Sequence, residues 1–231
     1  MNTFAKKYLK KYENYWKSSG SALGKLVPSL FQRYNVTPTK NTIPLFEVGR
    51  LFRKPTEGRL EVLFVNCNPS GTDYDYYDTN NDKGNNFFYY DKTDNTYFKS
   101  TDEFYRALGL TDDNYAMIDL FPIVTKEQAV LKNAYEKNRK LFAPLIDIFV
   151  EAVEELQPRV IVVTNAFVRD VLAEKKTMFK ENPIEVCYEM TTKKLKTVAF
   201  CGGMIAGSHQ MDVESKKRLI RDVRTYLNFL S

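Results

Sequence analysis

Chemistry-bearing side chains recur in this chain at the ends of apolar runs. Asn66-Cys67-Asn68-Pro69-Ser70-Gly71 places two amides, a thiol and a hydroxyl where the run LEVLFV stops. Asp119 sits inside the otherwise apolar YAMIDLFPIV (115–124), and Asn165 closes RVIVVT (159–164). After LKTVAFC (195–201) comes a glycine-rich stretch holding Ser208, Met211 and the single histidine, His209. Such groups donate and accept hydrogen bonds, orient water and bind anions. Metal chemistry is disfavoured, because one histidine and three scattered cysteines, Cys67, Cys187 and Cys201, form no CxxC pair. Asp78-x-Asn80-x-Asp82 imitates the start of a calcium loop, but Lys83 and Tyr89 stand where glycine and glutamate are needed. Ser70 and Ser208 lack the G-x-S-x-G elbow of a serine hydrolase. We therefore expect a site without metal or cofactor.

The elements that must position these residues follow from hydrophobic spacing. Short unbroken apolar runs ended by turn residues predict strands buried on both faces, as in parallel sheets. Four such strands fall near 60–66, 115–121, 159–164 and 195–201, with an edge strand over 184–192. Helices are expected near 4–17 (Phe4, Tyr8, Tyr12 and Trp16 four apart), 22–34, from a cap at Ser100 or Thr101 to 108, 141–156, 166–173 and 212–230. Asn165 and Asp212 are the expected caps of the helices that follow them. Strands alternating with helices predict an α/β fold with a mostly parallel sheet covered on both sides, preceded by an N-terminal helical extension. In such sheets ligands bind beyond the carboxyl ends of the strands, where these polar residues cluster. Residues 72–100 are expected to form a long loop rich in tyrosine and phenylalanine. Loops of that length are usually functional or disordered; this many aromatics argue against disorder, and most of the rings could simply pack on one another.

Composition bounds the partners. The chain has 231 residues, 43% hydrophobic and 27% charged, which is globular composition. No apolar run reaches the roughly 18–20 residues of a membrane span, and the N-terminus lacks a secretory pattern. A cytoplasmic monomer with no membrane partner is expected. The net charge of +5 is unevenly spread. Residues 1–54 hold eleven Lys and Arg against two Glu, residues 72–114 hold four against ten acidic groups, and residues 193–231 hold eight against three. Basic ends around an acidic middle could form a phosphate-facing surface beside a repelling one, or merely solvated helix faces.

In the order of its elements, and in about ten motif residues, the chain resembles the uracil-DNA glycosylase superfamily, nearest its mismatch-specific and single-strand-selective branches. The first motif of that family, Gly-x-Asn-Pro-Gly in those branches, corresponds to Asn66-Cys67-Asn68-Pro69-Ser70-Gly71, and its His-Pro-Ser-type loop to Ser208-His209-Gln210-Met211. Asp119 stands where the family has a base-recognising Asn. The resemblance covers roughly 58–230 and implies a three-layer α/β/α domain with a four-stranded sheet over 58–231, with 1–57 as a helical arm packed on it. It implies hydrolysis of a base–sugar bond in DNA, with Asn68 orienting water and His209 donating to the departing base. Asn66, Cys67 and Asp119 would contact the base, and Tyr76, Tyr77 or Phe88 would stack on it. Ser70, Gly71 and Ser208 would contact DNA, with Met211 as an apolar wedge. Three positions depart from the motifs: Asn66 replaces glycine, Gln210 replaces proline and Asp119 replaces asparagine. An ionised aspartate offers no donor. Two other readings stay open: a non-catalytic nucleic-acid or nucleotide-binding module on the same fold, and an enzyme acting on a small nucleoside or nucleotide.

Overall fold

The computed structural model describes residues 3–26, 46–47, 60–68, 87–88, 96–111, 114–123, 125, 127–206 and 210–229. The chain forms two compact units. The first comprises residues 1–50, 67–90 and 119–149, and the second residues 51–66, 91–118 and 150–231.

In the first unit, helix α1 (Thr3–Leu26) buries Phe4, Tyr8, Tyr12, Tyr15 and Leu23 along one stripe. The helix runs through Ser18-Ser19-Gly20, where the residue types suggested a break before a second helix. The Ser18 hydroxyl bonds back to the Tyr15 carbonyl at 2.8 Å, and Gly20, Leu23 and Gly24 are buried. Tertiary burial thus outweighs the weak helix propensity of the interruption. The side chain of Trp16, and residues 27–34 of the expected second helix, lie outside the described part. Strands β1 (Phe46–Glu47) and β3 (Phe87–Phe88) pair in parallel. Helix α3 (Gln128–Lys137) packs Tyr135 against Phe121 and Phe142, with the three ring centroids 5.4–5.7 Å apart.

The second unit holds a six-stranded mixed sheet, mostly parallel. Its strands are β2 (Val62–Asn66), β4 (Tyr115–Asp119), β5 (Val160–Val163), β6 (Phe179–Asn182), β7 (Cys187–Thr191) and β8 (Lys196–Cys201), in the order β4-β2-β5-β8-β7-β6. β2, β5 and β8 run parallel. The amides of Glu61 and Val62 bond to Asn114, the residue before β4, so the start of β2 adjoins the start of β4. The four expected strands are all present. The additions are β6 and the antiparallel pairings β6–β7 and β7–β8. The edge assigned to 184–192 belongs instead to β6, whose sequence FKEN is too polar and short to carry an apolar pattern. Its neighbour β7 is paired on both sides.

Phe64, Val162 and Phe200 share one row across β2, β5 and β8. Phe64 meets Phe104 and Tyr105 of helix α2 (Thr96–Ala107), with centroids 6.2 and 4.5 Å away. Phe200 meets Tyr226 of helix α6 (Val213–Phe229) at 5.9 Å. α2 begins at Thr96, four or five residues before the expected cap, so Ser100 and Thr101 lie inside it and Thr101 is fully buried. Helix α4 (Arg139–Leu156) keeps Pro144 within it and ends at Gln157, whose left-handed backbone (φ 49°) precedes Pro158. Arg159 ties the sheet to α6 by bonding Glu61 at 2.8 Å and the Leu227 carbonyl at 3.2 Å.

Helix α5 (Ala166–Ala173) starts on Asn165, as the sequence indicates. The Asn165 side-chain oxygen accepts from the amides of Phe167 and Val168 at 2.9 and 3.3 Å. Its position at the end of β5 is therefore used for capping. Asn165→Ala is expected to cost about 1 kcal/mol, a fall of about 2–4 °C in Tm for a chain this size. A thermal melt of the two proteins checks this. Asp212 caps α6 in the same way, bonding the Ser215 amide at 2.8 Å and hydroxyl at 2.6 Å. Those bonds hold its carboxyl below the ordinary aspartate range.

Candidate functional site

Two groups of polar side chains lie at the carboxyl ends of strands, one in each unit. In the first unit, Asn68 follows β2 by two residues. Its amide nitrogen donates to the Thr125 hydroxyl at 2.8 Å and to the Ile123 carbonyl at 3.3 Å. The Cys67 carbonyl accepts from the Phe121 amide at 3.0 Å, which joins the same two stretches of chain. With its nitrogen committed, the amide plane of Asn68 is fixed, and its other polar end is the carbonyl oxygen. A carbonyl oxygen held in one direction can align a water, although it is a weak base.

Asp119 ends β4 in the same unit and is partly exposed as a residue. Loss of water around its carboxyl pushes the pKa up to about 7. The carboxylate in turn raises the pKa of the buried Tyr12 phenol, although burial is the larger cause there. Burial, opposed by a hydrogen bond from Gln128 and reinforced by Asp119, lifts the Cys67 thiol to about 12. Cys67 is therefore a neutral thiol at physiological pH and no nucleophile. The same loss of water favours the protonated form of Asp119 more than in a free aspartate. In its protonated form it has one O–H donor beside one carbonyl acceptor, the same pair that an amide offers. The missing donor expected of an ionised aspartate is thus partly restored by the environment of the carboxyl.

In the second unit, Asn66 is the last residue of β2 and Thr164 the first after β5. The Thr164 hydroxyl lies 2.5 Å from Asn66 Oδ1 and 3.1 Å from the Val65 carbonyl. At the end of β8, Gly202 and Gly203 leave room for Met211. A Cβ on Gly203 would stand 2.9 Å from Met211 Cγ, and one on Gly202 would stand 2.9 Å from Leu219 Cδ2. Met211 therefore folds back on the glycine pair, and its amide bonds the Met204 carbonyl at 2.8 Å.

Of the residues named from the sequence, Asn66, Cys67, Asn68, Asp119 and Met211 are described. Ser70, Gly71, Tyr76, Tyr77, Ser208 and His209 lie outside the described residues, and Phe88 is described in its backbone only. Thr164 lies in a strand-end segment that the sheet rule selects, but its role, like those of Tyr12, Thr125 and Gln128, has no signature in the sequence. Tyr12 looked like one ring of an apolar helix stripe, and an isolated threonine or glutamine carries no local pattern. Among the described residues, no three His, Cys, Asp or Glu side chains gather as a metal site, and no helix is long and apolar enough to cross a membrane. No protein-family model matches the chain, and no curated protein matches it.

Proposed function

We propose that this protein is a uracil-DNA-glycosylase-like hydrolase that cleaves a base–sugar N-glycosidic bond in DNA without a metal. The observation that carries the reading is Asn68, two residues after β2, its amide nitrogen pinned by Thr125 and Ile123. The three-layer α/β/α architecture of that family fits helices α2 and α6, which meet the Phe64–Phe200 row. Helix α5, which follows β5 directly, would supply the layer on the other face.

Cleavage leaves positive charge on the sugar and the bonding electron pair on the departing base. The Asn68 oxygen would align the water that adds to the sugar carbon, and the proton lost by that water would neutralise the departing base anion. His209 would hold an N–H toward the base oxygen as negative charge grows there. Asp119, in its protonated form, would offer the base both a donor and an acceptor. Reaching a base in a duplex requires extruding it at a cost of a few kcal/mol, for which the aromatic residues of 74–90 are the proposed stacking partners. The basic segments 1–54 and 193–231 would attract the phosphates.

The test is base release from oligonucleotides carrying uracil or a mismatch, in single and double strands, with His209→Ala as the control that removes the donor. Release by the native chain and its loss in the variant are expected. Salt-sensitive binding without release would instead make the protein a non-catalytic nucleic-acid-binding module.

A further inference from the structure

Strand order singles out one place in the second unit. The chain passes from β2 to β4 on one side and then to β5 on the other, so the order of connection reverses between β2 and β5. Beyond the carboxyl ends of two such strands an open α/β sheet binds its ligands. The side chains at those two ends are Asn66 and Thr164.

Their hydrogen bond has a direction. A threonine hydroxyl carries one proton, and two acceptors lie near it. The Val65 carbonyl, 3.1 Å away, already receives the Thr164 amide at 2.9 Å. The 2.5 Å separation from Asn66 suits O–H···O and is too short for N–H···O. Thr164 thus donates to the Asn66 oxygen, and the Asn66 nitrogen points the other way. Thr164 is buried, whereas Asn66 is partly exposed. Among the described residues, no acceptor meets the Asn66 nitrogen.

We infer that Asn66 is a specificity-determining residue, its amide turned by Thr164 so that two N–H donors face the acceptor-bearing edge of a nucleobase. Thr164 is then a positioning residue that acts through Asn66. The inference rests on the proposed function and adds the chemistry of one contact: a carbonyl oxygen or ring nitrogen on the ligand, not a donor. Asn66→Asp keeps the size and the bond from Thr164 but replaces the donors with an anionic acceptor. Thr164→Val keeps the shape and frees the amide to rotate.

The experiment titrates the 15N-labelled full chain with deoxyuridine and with a single-stranded oligonucleotide containing one deoxyuridine, following the side-chain amide resonances of Asn66. We expect those resonances to move, Asn66→Asp to weaken binding about tenfold or more, and Thr164→Val about fivefold. Thr164→Ser should restore the native affinity, which loss of mere packing would not allow. In kinetics the Thr164→Val effect should fall on KM and spare kcat. Base release with unmoved resonances and equal affinities in all variants overturns the inference and keeps the proposed function. Resonances that respond to deoxyuridine, without oligonucleotide binding or base release, keep the inference and overturn the proposed function. Binding of neither probe overturns both.

Discussion

Asn68→Ala is expected to lower the rate of base release by about 10²–10³-fold, with KM little changed and the fold intact. The variant deletes the oxygen that would align water, and it leaves the Thr125 hydroxyl and the Ile123 carbonyl without their donor. Single-turnover measurement of base release separates this step from product dissociation. Asn68→Asp serves as the informative companion. A carboxylate is the stronger base, yet it brings a negative oxygen toward the Ile123 carbonyl, 3.3 Å from the present nitrogen. Its gain in basicity is therefore offset by loss of the geometry that holds the side chain. Thr125→Val, which removes the acceptor 2.8 Å from the amide, should lower kcat about tenfold and leave KM alone. Equal rates in all four proteins would remove Asn68 from the mechanism.

Asp119→Asn is expected to stabilise the protein most strongly at alkaline pH. The folded carboxyl titrates near 7, against an ordinary value of 3.8. Between those values the unfolded chain has lost the proton and the folded chain keeps it. The native state then binds more protons than the unfolded state, so stability falls as pH rises from about 4 to about 7 and stays low above it. A pKa rise of that size corresponds to at most about 4 kcal/mol. Denaturant titrations of both proteins at pH 4 and pH 8 measure the effect. The gap should be wide at pH 8 and nearly closed at pH 4. If Asp119 faces the base, native activity should also decline as pH rises through 7, while the variant shows a flatter profile over that range. A carboxyl that costs stability and supplies a donor–acceptor pair in its protonated form is a reasonable exchange at a functional position.

The elements that the sequence reading identified are those whose physics is local. β2, β5 and β8 announce themselves because a strand buried on both faces needs apolar side chains at every position. Asn165 and Asp212 are legible as caps because each bonds amides within three residues of itself. β6 was not legible, since an edge strand with outward-facing lysine and glutamate lacks any distinguishing period. The continuation of α1 through Ser18-Ser19-Gly20 was equally hidden, because local propensity opposes what tertiary burial supports.

The Asn66–Gly71 segment, the acid Asp119 and the lone His209 are legible as residue types within or after apolar runs of the sequence. What each can do was decided by partners far along the chain. Asn68 is oriented by Thr125, 57 positions away, and Asn66 by Thr164, 98 positions away. The titration of Asp119 depends on how little water reaches it. Periodicity and capping are written in neighbouring residues, whereas the direction of an amide and the pKa of a carboxyl depend on atoms that only folding brings close.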